Sequence, residues 1–192
     1  YGQTGGDVKR LNAGIAASGG VRSALLARRG LTGPPTILEG KRGLLQAFAD
    51  TYDADKITAG LGEAYYLQGS SFKPYSSMGI IAGQIDAVRE IMAKNGLKPD
   101  DIEEIVIGSS RTGVSHGGAI GPSPKDITGA QFSTHFSLGL TVVKGANDFK
   151  TYIDALKSNF KDPEVIEVAK RVRMVVDEEC DKAFPKKLIN KV

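Results

Sequence analysis

Two lysines of this sequence have neighbours that suit them to bind an anion. Lys73 lies in the segment Phe72–Tyr75, between aromatic residues and directly before a proline. Because proline restricts the residue that precedes it, the backbone that carries this ammonium group is stiff. Lys9 and Arg10 stand near the start of a predicted helix, where backbone N–H groups and the helix dipole favour a carboxylate. At both positions a solvated surface cation is the alternative interpretation.

Histidine and cysteine add few candidates for proton transfer or nucleophilic chemistry. His116 stands in the glycine-rich segment 108–125, which is interpreted as a long loop. A loop histidine can act as an acid or a base near neutral pH, and a plain surface histidine is the equal alternative. His135 falls in a predicted helix, where packing is the better interpretation. Cys180 follows two glutamates, whose charges oppose the thiolate that a nucleophile needs.

Composition and charge exclude several classes of function. The 192 residues are 41% hydrophobic and 24% charged, as in an ordinary globular protein. The 25 basic and 22 acidic residues leave a net charge of +3, which is too weak to indicate nucleic-acid binding. One cysteine and two histidines are too few for a disulfide or a typical metal site. The sequence contains no apolar run that could cross a membrane and no recognisable signal peptide, so we expect a cytoplasmic protein.

Hydrophobic periodicity predicts helices first and a mixture of helices and strands afterwards. The strands do not alternate regularly with helices, so the predicted fold class is α+β and not a doubly wound sheet. The first seven residues are interpreted as a loop. Helices are predicted over about 8–29, 43–50, 78–94, 127–144, 148–160 and from 162, and strands over 65–67, 102–107, 172–176 and 188–192.

Three segments together resemble the 2-methylcitrate dehydratase family, which is also called MmgE/PrpD. They are KRLNAGIAASGGVRSALLARRGLTGPPTILEG at residues 9–40, SSFKPYSSMGIIAGQIDAV at 70–88 and DITGAQFSTHFSLGLTVVKG at 126–145. Their order and spacing also fit that family. The first segment is the most specific, because it joins a lysine and a small-residue helix to the pattern R-G-x-T-G-P-P-x-I-L-E-G.

The resemblance implies a large helical domain, a smaller α+β lid domain and a homodimer. We expect residues 1–64 to be the C-terminal part of the helical domain and residues 65–192 to be a lid that is incomplete at its C-terminus. The family's N-terminal helical segment, with its Asp and His site residues, has no counterpart in this sequence. We therefore expect a piece of a longer enzyme, which is inactive by itself.

The resemblance also implies chemistry on small polycarboxylates without a metal or an organic cofactor. Lys9 and Lys73 match family lysines that face the cleft between the domains, and Tyr75 belongs to the same segment as Lys73. We expect Lys9, Lys73 and Tyr75 to bind the substrate. Lys73 also stabilises the charge that develops when a proton is removed next to a carboxylate, and His116 acts as the base or contacts the substrate.

The expected reaction is dehydration by a hydro-lyase, with 2-methylcitrate as the model substrate. An epimerase similar to iminodisuccinate epimerase is an alternative, because proton removal followed by return of the proton to the other face inverts a centre. A decarboxylase of the same family is a further alternative. Met78 stands where some relatives carry a histidine, which argues against cis-aconitate decarboxylase activity. A lid fragment without catalysis is the non-enzymatic alternative.

Overall fold

The computed structural model describes residues 8–192, so the loop predicted for residues 1–7 lies outside the described residues. The chain divides into two compact units. Of the described residues, one unit consists of Val8–Leu11 and Lys73–Val192, and the other is Asn12–Phe72. The domain boundary expected near residue 64 concerns the intact protein and stays a prediction.

From residue 8 to residue 65, the described part of the chain forms three α-helices: α1 (Val8–Arg28), α2 (Leu44–Phe48) and α3 (Asp55–Thr58). The prediction of α1 is confirmed, and Gly30, with φ at +94°, ends it in the left-handed conformation that glycine adopts readily. The strand predicted at 65–67 is wrong. A 3₁₀ turn occupies Tyr66–Gly69 instead, because hydrogen bonds three residues apart satisfy its backbone where no neighbouring strand is described.

Residues 73–192 contain seven α-helices and two strands. Five of the helices form the connection between the two strands, and a parallel pair requires a long connection of this kind. In chain order the elements are α4 (Ala82–Asn95), β1 (Ile105–Ser109), α5 (Arg111–Gly117), α6 (Ile127–Phe132), α7 (Thr134–Lys144), α8 (Phe149–Lys157), α9 (Pro163–Lys170), β2 (Val172–Val176) and α10 (Glu178–Ala183).

β1 and β2 form a parallel pair in which Ile105 lies opposite Val172 and Ser109 opposite Val176. The predicted fold class, α+β, is confirmed. β2 has the predicted bounds, whereas β1 begins three residues later than expected. The predicted strand at 188–192 is wrong, because only Lys191 forms an isolated antiparallel bridge, with Gly108.

Two apolar clusters form the core of this unit. Ile81, directly before α4, and Ile85 and Val88 of α4 are buried, and Met92 packs against them. The first cluster lies where α4, α7, α9 and the two strands meet, and the second lies under α6, α7 and α8. The first contains Ile81, Ile85, Val88, Ile102, Ile105, Ile107, Leu138, Val142, Val168 and Val172, and the second contains Ala130, Phe136, Leu140, Tyr152, Phe160 and Val165.

Two predicted boundaries in this unit are wrong for identifiable reasons. The helix predicted over 127–144 is two helices, because Ser133 is extended and its hydroxyl accepts a hydrogen bond from the N–H of Phe136. The loop predicted over 108–125 contains α5, which Ser110 caps by accepting from the N–H of Gly113. A Cβ atom on Gly117 would lie 2.5 Å from the Thr134 hydroxyl oxygen, so this glycine permits close helix packing and does not mark a loop.

Candidate anion-binding site

Lys73 lies at the start of a turn whose backbone is held at several points. We call residues Lys73–Met78 the lysine turn. The Lys73 ammonium group donates to the carbonyl oxygen of Ser77 at 3.1 Å, which closes the turn on itself. The N–H of Ser76 donates to the Asn147 carbonyl oxygen at 2.9 Å, and the N–H of Met78 donates to the Gln131 carbonyl oxygen at 2.8 Å. The residues on both sides of Ser77 are therefore fixed.

Lys9 and Arg10 lie in the first described turn of α1 and contact the C-terminal end of α6. The Lys9 nitrogen lies 5.3 Å from the centre of the Phe132 ring, within the range of a cation–π interaction. The Arg10 guanidinium group donates to the side-chain oxygen of Gln131 at 2.8 Å. Gln131 is the residue whose carbonyl oxygen holds Met78 of the lysine turn. Lys9 contacts Phe132, the neighbour of Gln131, and Lys73 contacts Ser77, the neighbour of Met78. The backbone hydrogen bond between Met78 and Gln131 therefore lies between the two contacts in sequence terms.

The phenol of Tyr75 points to α4. Its hydroxyl group donates to the carboxylate of Asp86, and its ring packs against the first core cluster. The hydrogen bond to the negatively charged Asp86 is the main cause that raises the pKa of Tyr75. Tyr75 therefore stays neutral at physiological pH, and the bond to Asp86 restricts the orientation of its ring.

His116 lies in helix α5, and the prediction that it belongs to a loop is wrong. Its Nδ1 atom lies 2.8 Å from the carbonyl oxygen of Thr112 and 3.2 Å from the Ser115 hydroxyl oxygen. A carbonyl oxygen only accepts hydrogen bonds, so the neutral ring carries its proton on Nδ1 and leaves Nε2 able to take a proton. Within residues 8–192, no hydrogen bond or ion pair joins His116 to either lysine.

His135 stands at the start of α7, three residues after Phe132 in the chain and two after the break between α6 and α7. Burial lowers the pKa of His135, and a hydrogen bond to the backbone of Ile120 partly opposes that effect. This histidine is therefore neutral at physiological pH, which agrees with the interpretation that it is a packed residue.

Sequence reasoning missed the buried residues that support the lysine turn. Asn147 and Tyr152, which are 2% and 0% exposed, lie behind the turn, and the carbonyl group of Asn147 holds Ser76. In the sequence, Asn147 reads only as a polar residue before a helix, and Tyr152 as one aromatic residue of an apolar face. No local pattern indicates that they reach a segment some 70 positions earlier.

The described residues offer no preformed site for a metal ion. Among residues 8–192, no group of three or more His, Cys, Asp or Glu side chains could hold one. None of the described helices is both long enough and apolar enough to span a membrane.

Two family models match separate parts of this chain. The family model of the MmgE/PrpD C-terminal domain matches residues 75–192, and the model of the MmgE/PrpD N-terminal domain matches residues 1–56. The chain belongs to the MmgE/PrpD family. The two matches leave residues 57–74 uncovered, so Lys73 lies outside both matches and Tyr75 is the first residue of the C-terminal match.

Curated relatives of known activity are similar over most of this chain. A cis-aconitate decarboxylase of Aspergillus terreus is 27% identical over 196 residues, and one from Aspergillus terreus strain NIH 2624 is 26% identical over 193 residues. Each alignment covers 93% of this chain and 39% of the relative. The chain thus spans about two fifths of the length of the curated relatives that it matches.

Proposed function

We propose that the protein to which this chain belongs is a hydro-lyase that dehydrates small polycarboxylates such as 2-methylcitrate without a metal or an organic cofactor. The observation that carries this proposal is the Lys73 ammonium group on a turn that is fixed at Ser76 and Met78. Membership of the MmgE/PrpD family supports the choice of reaction class. A homodimer is the proposed assembly.

Charge neutralisation is the first task of the two lysines. A di- or tricarboxylate brings two or three negative charges into the site, and a buried carboxylate without a partner costs several kcal/mol. Lys9 and Lys73 supply one positive charge each. Because Lys73 is already held by Ser77, a substrate carboxylate that binds it loses less side-chain entropy than it would on a free lysine. Tyr75 is the proposed third substrate contact.

Removal of a proton next to a carboxylate is the second task. The carbon–hydrogen bond breaks, a double bond forms to the neighbouring carbon, and the hydroxyl group on that carbon leaves as water after gaining a proton. Negative charge builds up on the adjacent carboxylate in the transition state, where the Lys73 ammonium group stabilises it. The proposed base is Nε2 of His116, because Nδ1 is occupied by Thr112.

Decarboxylation is the second candidate reaction, and the curated relatives favour it, since both are cis-aconitate decarboxylases. The same pair of lysines suits that substrate class. Met78, which stands where some relatives carry a histidine, is half-buried and packs against the first core cluster. A thioether has no proton to give, so a decarboxylase would need another donor at this position. An epimerase remains the third candidate.

Substitution of Lys73 by alanine in the full-length parent protein tests the proposal. We expect Lys73→Ala to lower turnover of the preferred acid by about 100-fold or more, with the products followed by NMR over a panel of citrate-like acids. The control is Lys94→Ala, which removes an exposed lysine from the end of α4. Near-full activity of Lys73→Ala would contradict the assignment, and release of carbon dioxide in place of water would select the decarboxylase.

The isolated chain is proposed to be inactive, because it spans about 39% of the length of the curated relatives. The measurement is the same acid panel with the 192-residue chain alone. Turnover above that of a Lys9→Ala, Lys73→Ala double variant would refute this part of the proposal. Light scattering of the parent protein tests the dimer.

A further inference from the structure

We propose that Asn147 positions the Lys73 ammonium group through the backbone of the lysine turn. The inference deepens the proposed function, because it concerns the geometry of the same anion site. Asn147 itself touches no ligand: it is 2% exposed, and its own carbonyl oxygen accepts the N–H of Ser76 at 2.9 Å. It is therefore a positioning residue that acts through Ser76 and Ser77 on Lys73.

The side chain of Asn147 is itself fixed by three hydrogen bonds. Its amide nitrogen donates to the Ser137 carbonyl oxygen and to the Thr141 hydroxyl oxygen, each at 2.7 Å. Its amide oxygen accepts from the Tyr152 hydroxyl group at 2.7 Å. Both protons of the amide and its oxygen are used, so the group has one orientation. The amide therefore ties helices α7 and α8 to the backbone position that carries the lysine turn.

The direction of the hydrogen bonds around Tyr152 follows from the number of protons. Burial raises the pKa of Tyr152, so its hydroxyl group is neutral and has one proton, which it gives to Asn147. The Ser137 hydroxyl group, 2.8 Å away, must then donate to Tyr152. The Thr141 hydroxyl group donates to the Ser137 carbonyl oxygen at 2.8 Å. The side-chain donors of Asn147, Tyr152, Ser137 and Thr141 thus each have an acceptor, which restricts the orientations of these four groups.

The network reaches the protein surface at the lysine turn. Burying a set of polar groups costs desolvation energy. For stability alone, apolar side chains of the same shape would stabilise the core equally well. Here the carbonyl oxygen of Asn147 accepts from the N–H of Ser76. The carbonyl oxygen of the next residue, Ser77, accepts from the Lys73 ammonium group. Supporting residues of this kind keep a binding group in a productive position. We infer that this is the role of the Asn147 amide.

Substitution of Asn147 by leucine keeps the approximate volume and removes all three side-chain hydrogen bonds. The matched control is Gln84→Met, which removes another fully buried amide, one whose hydrogen bonds go to the side chains of Asn190 and Thr134. Both variants are made in the 192-residue chain. The readouts are hydrogen exchange of the Ser76 N–H, the NMR signals of the Lys73 ε-methylene group, and the shift of those signals on titration with citrate.

We expect Asn147→Leu to speed exchange at Ser76 by at least tenfold, to shift the Lys73 signals and to weaken citrate binding by about tenfold, whereas Gln84→Met does none of these. Tyr152→Phe, which removes a single donor to Asn147, is expected to weaken binding by about threefold and serves if Asn147→Leu does not fold. The inference is overturned if neither Asn147→Leu nor Tyr152→Phe changes the exchange of Ser76 or the Lys73 signals.

The same experiment separates this inference from the proposed function. If citrate shifts the Lys73 signals equally in the unsubstituted chain and in Asn147→Leu, the positioning role is refuted and the anion site stands. If citrate shifts no Lys73 signal in the unsubstituted chain, the anion site loses its support. Exchange at Ser76 and the ligand-free Lys73 signals then still decide whether Asn147 positions the turn.

Discussion

Residues 12–72 and residues 73–192 use their apolar side chains in opposite ways. Within residues 12–72 the structure buries a single residue, Gly43, and large side chains such as Tyr66 and Phe48 are 97% and 83% exposed. Residues 73–192 bury two apolar clusters. Both regions form helices, but within the described residues only 73–192 enclose an apolar core.

The contrast between α1 and α7 shows what a core requires. α1 has 21 residues, none of them buried, whereas α7 has 11 residues, of which eight are buried. α7 packs closely against α9 and α4, which cover it on two sides. An amphipathic helix is stabilised mainly by such packing and only weakly by its own propensity. Among the described residues, α1 therefore lacks the cover that buries α7.

Hydrogen exchange should show the largest difference between the two regions. We expect backbone amides in residues 12–28 of α1 to be protected at least about 1000-fold less than amides in α7, because the latter open only when the core unfolds. Peptide-resolved mass spectrometry of the chain in deuterated buffer measures both helices in one sample. Equal protection of the two helices would show that α1 is covered in solution.

Truncation of a phenylalanine should destabilise only the region that has a core. Phe136 is 0% exposed and meets the Phe160 ring edge-on, with ring centres 5.8 Å apart. We expect Phe136→Ala to lower the free energy of unfolding by about 3–5 kcal/mol. Phe48→Ala, at an exposed position, should change it by less than about 0.5 kcal/mol. Urea denaturation followed by circular dichroism measures both, and a large effect at Phe48 would contradict the comparison.

Glycine-to-alanine substitutions should have opposite signs in the two regions. A Cβ atom on Gly139 of α7 would lie 2.6 Å from the Val165 carbonyl oxygen, whereas one on Gly20 of α1 would meet nothing within 4 Å. Gly139→Ala therefore costs about 1–3 kcal/mol through overpacking. Gly20→Ala should stabilise α1 by about 0.5–1 kcal/mol, since alanine is the better helix former. Helical content against temperature measures both, and loss of stability in Gly20→Ala would refute the second expectation.

The sequence predicted the elements whose signals are local. The bounds of β2 follow from periodicity. Gly30 and Gly96 follow α1 and α4 with φ at +94° and +65°, a conformation that makes glycine a common helix end. α5 was missed because its glycines serve close packing, which is a tertiary cause. In the candidate site, Lys9 and Lys73 could be selected from their neighbours, but Arg10 meets Gln131 over 121 positions, and no local pattern predicts such a contact.

The smallest expected effect lies at the C-terminal edge of the packed region, where Asp177 caps α10. Its carboxylate accepts from the N–H groups of Glu179 and Cys180 at 3.0 Å and pairs with the Lys191 ammonium group, also at 3.0 Å. The hydrogen bond from the Cys180 N–H and the contact with Lys191 lower the pKa of Asp177 to about 2. The carboxyl group of an unfolded chain titrates near pH ~3.9.

Because the pKa of Asp177 is lower in the folded state, its charge stabilises the fold above about pH 4, and this contribution is lost as the pH falls towards 2. Asp177→Asn keeps a capping side chain without the charge, so we expect a slightly less stable protein at neutral pH and a shallower loss of stability in this window. Lys191→Met should raise the titration midpoint of Asp177, followed by carboxyl NMR. An unchanged midpoint would show that Lys191 leaves the capping carboxylate unaffected and that the backbone N–H groups alone set its pKa.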